Sequence, residues 1–243
     1  MPPHREPRVR LSLKESRMQF AEPTKPRQEI RGTQETPRVH RLGILLSGRG
    51  SNFLAIAEAI TQGRLANAAI AVVISNRRDA EGITAARSAG FATEVIEPRG
   101  RKRAEHDAEI IASLRAHQVD LVCLAGYMRL LSAEFVRAFP QRILNIHPSL
   151  LPAFPGLDAQ RQALEYGVTV SGCTVHFVDE ELDHGVIVLQ KTVPVLAEDD
   201  EHTLAARILV QEHVAYAEAI DRVLSRKYRF AGRRFVAAQT ETE

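Results

Sequence analysis

From residue 41 onward the apolar positions fall into two alternating rhythms. Short continuous apolar runs read as strands: RLGILLS (41–47), IAVVISN (70–76), ATEVIE (92–97), VDLVCLAG (119–126) and RILNIH (142–147). Between them lie stretches with helical spacing: FLAIAEAI (53–60), AEGITAARSAG (80–90) stopped at Gly90, amphipathic KRAEHDAEIIASLRAH (102–117), and SAEFVRAF (132–139) with Ser132 as N-cap. Strands that are apolar throughout are buried on both faces, and strand–helix alternation implies parallel pairing. The expected fold class is therefore α/β, a doubly wound, mostly parallel sheet. Farther on, LDAQRQALEYG (157–167) reads as helix. VTVSGCTVHFVD (168–179) and GVIVLQKTVPV (185–195), joined by EELDH, predict an antiparallel extension of the sheet, and 201–226 a long closing helix.

Residues 1–38 follow neither rhythm. They hold six of the twelve prolines and few apolar residues, too few to offset the entropy of ordering, so they are expected to form a disordered leader. One domain over 39–230 and a C-terminal tail over 231–243 complete the expected organisation. The opening MPPHREPRVR lacks the apolar stretch of a secretory signal, and five Glu in the leader argue against a transit peptide.

Charge sharpens this division. Of a net +2, residues 1–40 carry nine Lys/Arg against five Glu, hence +4, which leaves 2 − 4 = −2 for the rest. A near-neutral domain lacks the basic face that nucleic acid requires. No apolar run reaches the length of a membrane span. Cys123 and Cys173 sit in strand-like runs without metal-type spacing and read as buried free thiols of a reducing compartment, the cytoplasm.

The first chemical signal is SGRGSN (47–52), between the first strand and the first helix, where doubly wound folds bind phosphate. Gly48 and Gly50 can turn successive amides into one concavity, Ser51 adds a hydroxyl, and Asn52 can cap the helix. Phe53 replaces the third glycine of a dinucleotide fingerprint, strand two ends in Ser75-Asn76 rather than an acid, and no Gly-Lys-Ser/Thr follows. The loop is either a plain tight turn or a site for one phosphate monoester.

The second signal is LNIHPSLLPAFPG (144–156). Asn145 and His147 lie two apart at the end of strand five, so they face one side, and Pro148 holds His147 extended. An amide can donate to an oxyanion and an imidazole can act as acid or base. By itself the pair reads first as a turn Asn and a surface His. Asp183, in EELDHG (180–185), reads first as a turn residue, with a carboxylate brought beside His147 as the alternative. Metal ligation by His147, His176 and Asp183 is a further alternative without diagnostic spacing. No G-x-S-x-G elbow is present.

Together SGRGSN, AGYMRLLS (125–132), NIHPSLLPAFPG (145–156), HFVDEELDHG (176–185) and LQ (189–190) resemble the folate-dependent glycinamide ribonucleotide formyltransferases of purine synthesis, over roughly residues 41–230. The resemblance implies a Rossmann-like formyltransferase fold. It implies transfer of a formyl group from 10-formyltetrahydrofolate to the amine of glycinamide ribonucleotide, with no metal. Asn145, His147 and Asp183 would form the catalytic trio, the first two stabilising an oxyanion and Asp183 keeping His147 protonated. Gly50, Ser51 and Asn52 would hold the phosphate and Glu212 the sugar. Arg103, Met128, Arg129, Leu130, Leu131 and Asn145 would line the folate site, and Asp179, Glu180, Glu181 and Leu182 would close over the pterin. Partners would be the two small molecules, with no nucleic acid and no membrane, on a monomer or homodimer.

Two positions depart from the pattern: Arg49 is loosely specified in the family, and His184 stands where a small residue is commoner. Two rivals on the same scaffold fit less well. The tRNA-formylating enzyme carries a C-terminal RNA-binding domain, where this chain has a short tail. The formyltetrahydrofolate hydrolase has a larger N-terminal domain and a different phosphate loop. A non-catalytic nucleotide-binding module would have no chemical need of all three polar groups.

Overall fold

The structure, a computed structural model, describes residues 38–238. All of the expected leader but Arg38, and residues 239–243 of the expected tail, lie outside them. In chain order the described elements are β1 (His40–Leu46), α1 (Ser51–Thr61), β2 (Ala68–Ser75), α2 (Glu81–Ser88), β3 (Thr93–Val95), α3 (Arg103–Ala116), β4 (Leu121–Leu124), α4 (Ala133–Ala138) and β5 (Ile143–His147). They continue with α5 (Ala159–Tyr166), β6 (Val170–Phe177), β7 (Ile187–Pro194), α6 (Glu201–Leu224), β8 (Tyr228–Ala231) and β9 (Arg234–Ala237).

Among the described residues all nine strands join one sheet, ordered β3-β2-β1-β4-β5-β6-β7-β9-β8. The first five pair in parallel, and β6 and β7 add antiparallel strands, as the apolar pattern predicts. The alternation of side chains along β1 explains the two covered faces. Leu42, Ile44 and Leu46 pack with Phe53 of α1 and Tyr216 of α6. Leu45 turns to the opposite core with Ile110 of α3 and Phe135 of α4. Ser132 caps α4 as expected, its hydroxyl accepting from the Phe135 amide.

The C-terminal boundary requires correction. Residues 228–237 form a hairpin whose β9 joins β7 at the Ile187–Arg234 pair. The expected tail from 231 therefore begins inside a strand pair of the sheet. Tyr228, Phe230 and Phe235 ring Phe177 with centroids 5.4–6.4 Å away, so the hairpin covers the end of β6. A run of four residues is too short for its period to stand out in the sequence.

The order places β1 between β2 and β4. The chain runs outward through β2 and β3 and then returns to the other side of β1, and at such a switch the loops after the two strands part and leave a cleft. Tyr216 of α6 ties the strands beneath it: its fully buried hydroxyl faces the carbonyls of Leu124 and Leu144 at 3.1 and 3.0 Å. Burial pushes its phenol well above the ordinary range. Tyr216→Phe is expected to cost about 1–2 kcal/mol, since a buried bond is lost without loss of packing. Denaturant unfolding checks this; an unchanged midpoint with an unchanged slope would show that these strands need no tie.

Candidate active site

The turn after β1 is built by close backbone contact. Gly50 is left-handed (φ 77°), and a Cβ there would lie 2.6 Å from the Cα of Gly82 at the head of α2. The Gly82 amide donates to the Gly48 carbonyl at 3.0 Å. No side chain caps α1, so its first amides and the positive end of its dipole open into the cleft. The Ser47 hydroxyl donates to Asn76 at 2.6 Å and accepts from the Met128 amide at 2.8 Å, which joins the loops after β1, β2 and β4.

The cleft has a volume of about 770 Å³ and is lined by Gly50, Ser51, Asn52, Met128, Arg129 and Glu212, among others. Such a volume suits a phosphorylated metabolite. Asn52 does not cap α1, contrary to the helix-cap expectation. It follows Ser51 inside the helix and faces inward, donating from Nδ2 to Glu212 Oε2 at 2.7 Å. Glu212 is buried, and that burial raises its carboxyl above the usual range, with Asn52, His147 and Arg49 opposing the rise. The buried Asn52 Oδ1 has no partner among the described residues. The cleft thus combines free helix amides, Arg49 on its rim and a hydrogen-bonded carboxylate on its floor, a donor set for phosphate beside an acceptor for hydroxyls.

Asn145 and His147 stand at the end of β5, next to Ile146 and Pro148, which line the cleft. The β6–β7 loop brings Asp183 to them. Its Oδ2 lies 3.3 Å from His147 Nδ1 and accepts from the Gly156 amide at 2.8 Å. Its Oδ1 lies 3.8 Å from His176 Nε2. Asp183 is left-handed (φ 50°), a conformation Asp tolerates in tight turns. His147 Nε2 faces the Phe154 carbonyl at 2.8 Å. Both its nitrogens therefore face oxygens; an imidazolium satisfies both, a neutral ring only one.

His176 is the residue whose part the sequence reading missed. Antiparallel pairing sets it directly opposite Asn145. Burial lowers its pKa, so it stays neutral; its Nδ1–H donates to the Phe177 carbonyl, leaving Nε2 to accept from Asn145 Nδ2 at 3.2 Å. That bond orients the Asn145 amide and leaves its second N–H available. The signal was present as a His on the strand that follows the one carrying Asn145, but the register of the pair depends on how the intervening loop and α5 return the chain. In the alternative of His147, His176 and Asp183 as metal ligands, one nitrogen of each ring faces the Asp183 carboxylate and the other faces a main-chain carbonyl, of Phe154 or Phe177. Among the described residues no group of three or more His, Cys, Asp or Glu side chains is placed to hold a metal ion.

The remaining candidates spread around this centre. Met128 and Leu130 are exposed at 69% and 53%, whereas Leu131 packs partly into the core near Phe135. Arg129 is half-buried beside Tyr127, whose phenol burial raises. Arg103 is exposed at the start of α3. In the β6–β7 loop, Asp179 holds the Glu181 amide at 3.0 Å and faces His184, Glu180 pairs with Arg137 of α4 at 3.1 Å, and Leu182 is 55% exposed. The structure thus gathers Gly50, Ser51, Asn52, Met128, Arg129 and Glu212 into one cleft and Asn145, His147 and Asp183 into one cluster at its edge.

The formyl transferase family matches residues 40–220. The chain is 45% identical to the phosphoribosylglycinamide formyltransferase of Escherichia coli over 174 residues, covering 71% of this chain and 82% of that one. It is 47% identical to the trifunctional purine biosynthetic protein adenosine-3 of Drosophila melanogaster over 185 residues, 75% of this chain but 14% of that protein, so it spans about a seventh of that relative's length. The crystal structure of glycinamide ribonucleotide transformylase 1 from Symbiobacterium toebii superposes with a TM-score of 0.80 at 50% identity, covering 83% of this chain and 95% of that one.

Proposed function

Because this chain belongs to the formyl transferase family, we propose that it moves the formyl group of 10-formyltetrahydrofolate to the amine of glycinamide ribonucleotide. The products are formylglycinamide ribonucleotide and tetrahydrofolate, and the reaction is a step of purine synthesis placed in the cytoplasm. The observation that carries the reading is the adjacency of two unlike sites. A phosphate-ready cleft ends at Ile146 and Pro148, and the Asn145–His147–Asp183 cluster begins on the same strand end.

The nucleotide binds with its phosphate on the amides after Gly50, and Glu212 accepts from the ribose hydroxyls. The formyl donor binds along Met128–Leu131 and Asn145 under the Asp179–Leu182 loop, with Arg103 at its acidic end. The amine attacks the formyl carbon, the new N–C bond forms, and the carbonyl oxygen gains charge. Asn145 donates its free N–H to that oxygen. His147 turns its Nε2–H from the Phe154 carbonyl to the same oxygen, a shift of partner expected when substrate enters. Asp183 balances the imidazolium. As the N10–C bond breaks, the amine proton passes to N10 through water held by Asp183.

The test is to incubate the protein with the folate, with and without the nucleotide, and follow tetrahydrofolate. Release only with the nucleotide is expected. Release without it would replace this reading by a hydrolase, and no release in either case by a binding module.

Glu212→Gln separates binding from folding. A raised carboxyl pKa favours the protonated folded form, so its ionisation as pH rises through that raised value costs stability. Gln removes this cost. The variant is expected to melt at or above the wild-type temperature at neutral pH while its nucleotide KM rises roughly tenfold, the usual loss with a hydrogen bond to a charged group. An unchanged nucleotide KM would remove Glu212 from the sugar site.

A further inference from the structure

We propose that Arg233, in the turn between β8 and β9, is a positioning residue that acts through His184 on the Asp183 loop. This rests on the reading of Asp183 given above. The β6–β7 loop, residues 178–186, makes contacts on three sides. On the inner side Asp183 takes the Gly156 amide and faces His147. On the outer side Glu180 meets Arg137 of α4. The third contact comes from the C-terminal hairpin: Arg233 Nη1 lies 2.6 Å from His184 Nε2 and 3.2 Å from Nδ1, so the guanidinium lies across the imidazole, and Nη2 donates to the His184 carbonyl.

His184 is held from two sides. Its Nδ1 donates to Asp179 Oδ2 at 2.9 Å, while the Arg233 guanidinium lies across the ring. Asp179 Oδ1 in turn holds the Glu181 amide at 3.0 Å. The chain Arg233–His184–Asp179–Glu181 thus ties the loop across its base, immediately next to Asp183. The hairpin can carry this load because β9 is paired to β7 at Ile187, three residues past His184, and its aromatic rings are packed on Phe177 at the other end of the loop. Both ends of the loop and its brace therefore rest on one rigid unit. A residue smaller than His at 184 would leave Arg233 only the main-chain carbonyl, so the brace is particular to sequences with both side chains.

An exposed contact of this kind shifts a loop equilibrium modestly. Turnover follows the fraction of molecules with Asp183 in place. For Arg233→Ala in the full chain, kcat is expected to fall roughly three- to tenfold, with the nucleotide KM unchanged because the phosphate cleft lies on other elements. His184→Ala should match it, and the double variant should be no worse than either single one, since both break one chain of contacts. Arg233→Lys keeps one donor and should recover part of the loss.

Hydrogen exchange supplies a readout that does not depend on activity. Amides of residues 179–184 should exchange faster in Arg233→Ala, with β7 and β9 unchanged. Unchanged loop exchange, additive single variants, or faster exchange spread evenly over the hairpin would each overturn the proposal. A wild-type protein that transfers no formyl group would instead overturn the functional reading, while the exchange result would still decide whether Arg233 holds the loop.

Discussion

Asp183→Asn is expected to lower kcat by at least a hundredfold while both KM values stay within a few-fold of wild type. The side chain is only 8% exposed, and one carboxylate oxygen serves both the Gly156 amide and His147 Nδ1. Asn keeps the shape and can still accept from Gly156, so the loop should close as before. What disappears is the negative charge opposite the imidazole, and with it the balance for a ring that must carry a proton while an oxyanion forms beside it. Proton transfer and oxyanion stabilisation each contribute roughly 10²–10⁴ in rate. Substrate affinity comes from the cleft and the folate loop, which the substitution leaves alone. Steady-state kinetics over both substrates checks the split, and turnover near wild type would take Asp183 out of the reaction.

Gly185→Ala carries the second large effect, and it reaches the fold and the site together. A Cβ at 185 would stand 1.8 Å from the Phe177 carbonyl oxygen and 2.7 Å from its carbon. These are backbone atoms at the end of β6, where the Phe177 amide donates to the Val186 carbonyl at 2.9 Å. No side chain can yield to make room. Either that bond opens, or the loop moves out and takes Asp183 with it, two residues upstream. Gly185 is not left-handed, so the demand is for space alone rather than for an unusual φ. The expected cost is about 2–4 kcal/mol, a fall in melting temperature of roughly 5–15 °C, together with most of the turnover. A variant that melts with the wild type would mean the loop has another way past β6.

Much of this architecture was written in the local pattern. Strands such as RLGILLS and VDLVCLAG are apolar on both faces because helices cover both, and that requirement is visible without any partner in view. Gly50 was legible for a similar reason: a glycine at a strand-to-helix turn has few other uses. What it meets was not legible, since Gly82 is contributed by the next helix. Asn52 read as a helix cap because capping is the commonest use of Asn at a helix start. Its actual partner, Glu212, is 160 residues away, and only the packing of α1 on α6 brings the two together. The C-terminal hairpin escaped because four-residue strands carry almost no period, and its stability comes from rings gathered around Phe177.

By itself, then, the sequence determined the class of sheet, the phosphate turn and the two polar groups at the end of β5, all features set by neighbours within a few residues. The sequence also offered Asp183 as the carboxylate for His147; the tertiary structure alone decided that its loop brings it there, which imidazole orients Asn145, and which arginine braces that loop. Those contacts join β5 to β6, to a loop and to a hairpin at the end of the described chain. Their geometry depends on register and close packing, which no local pattern of residue types encodes.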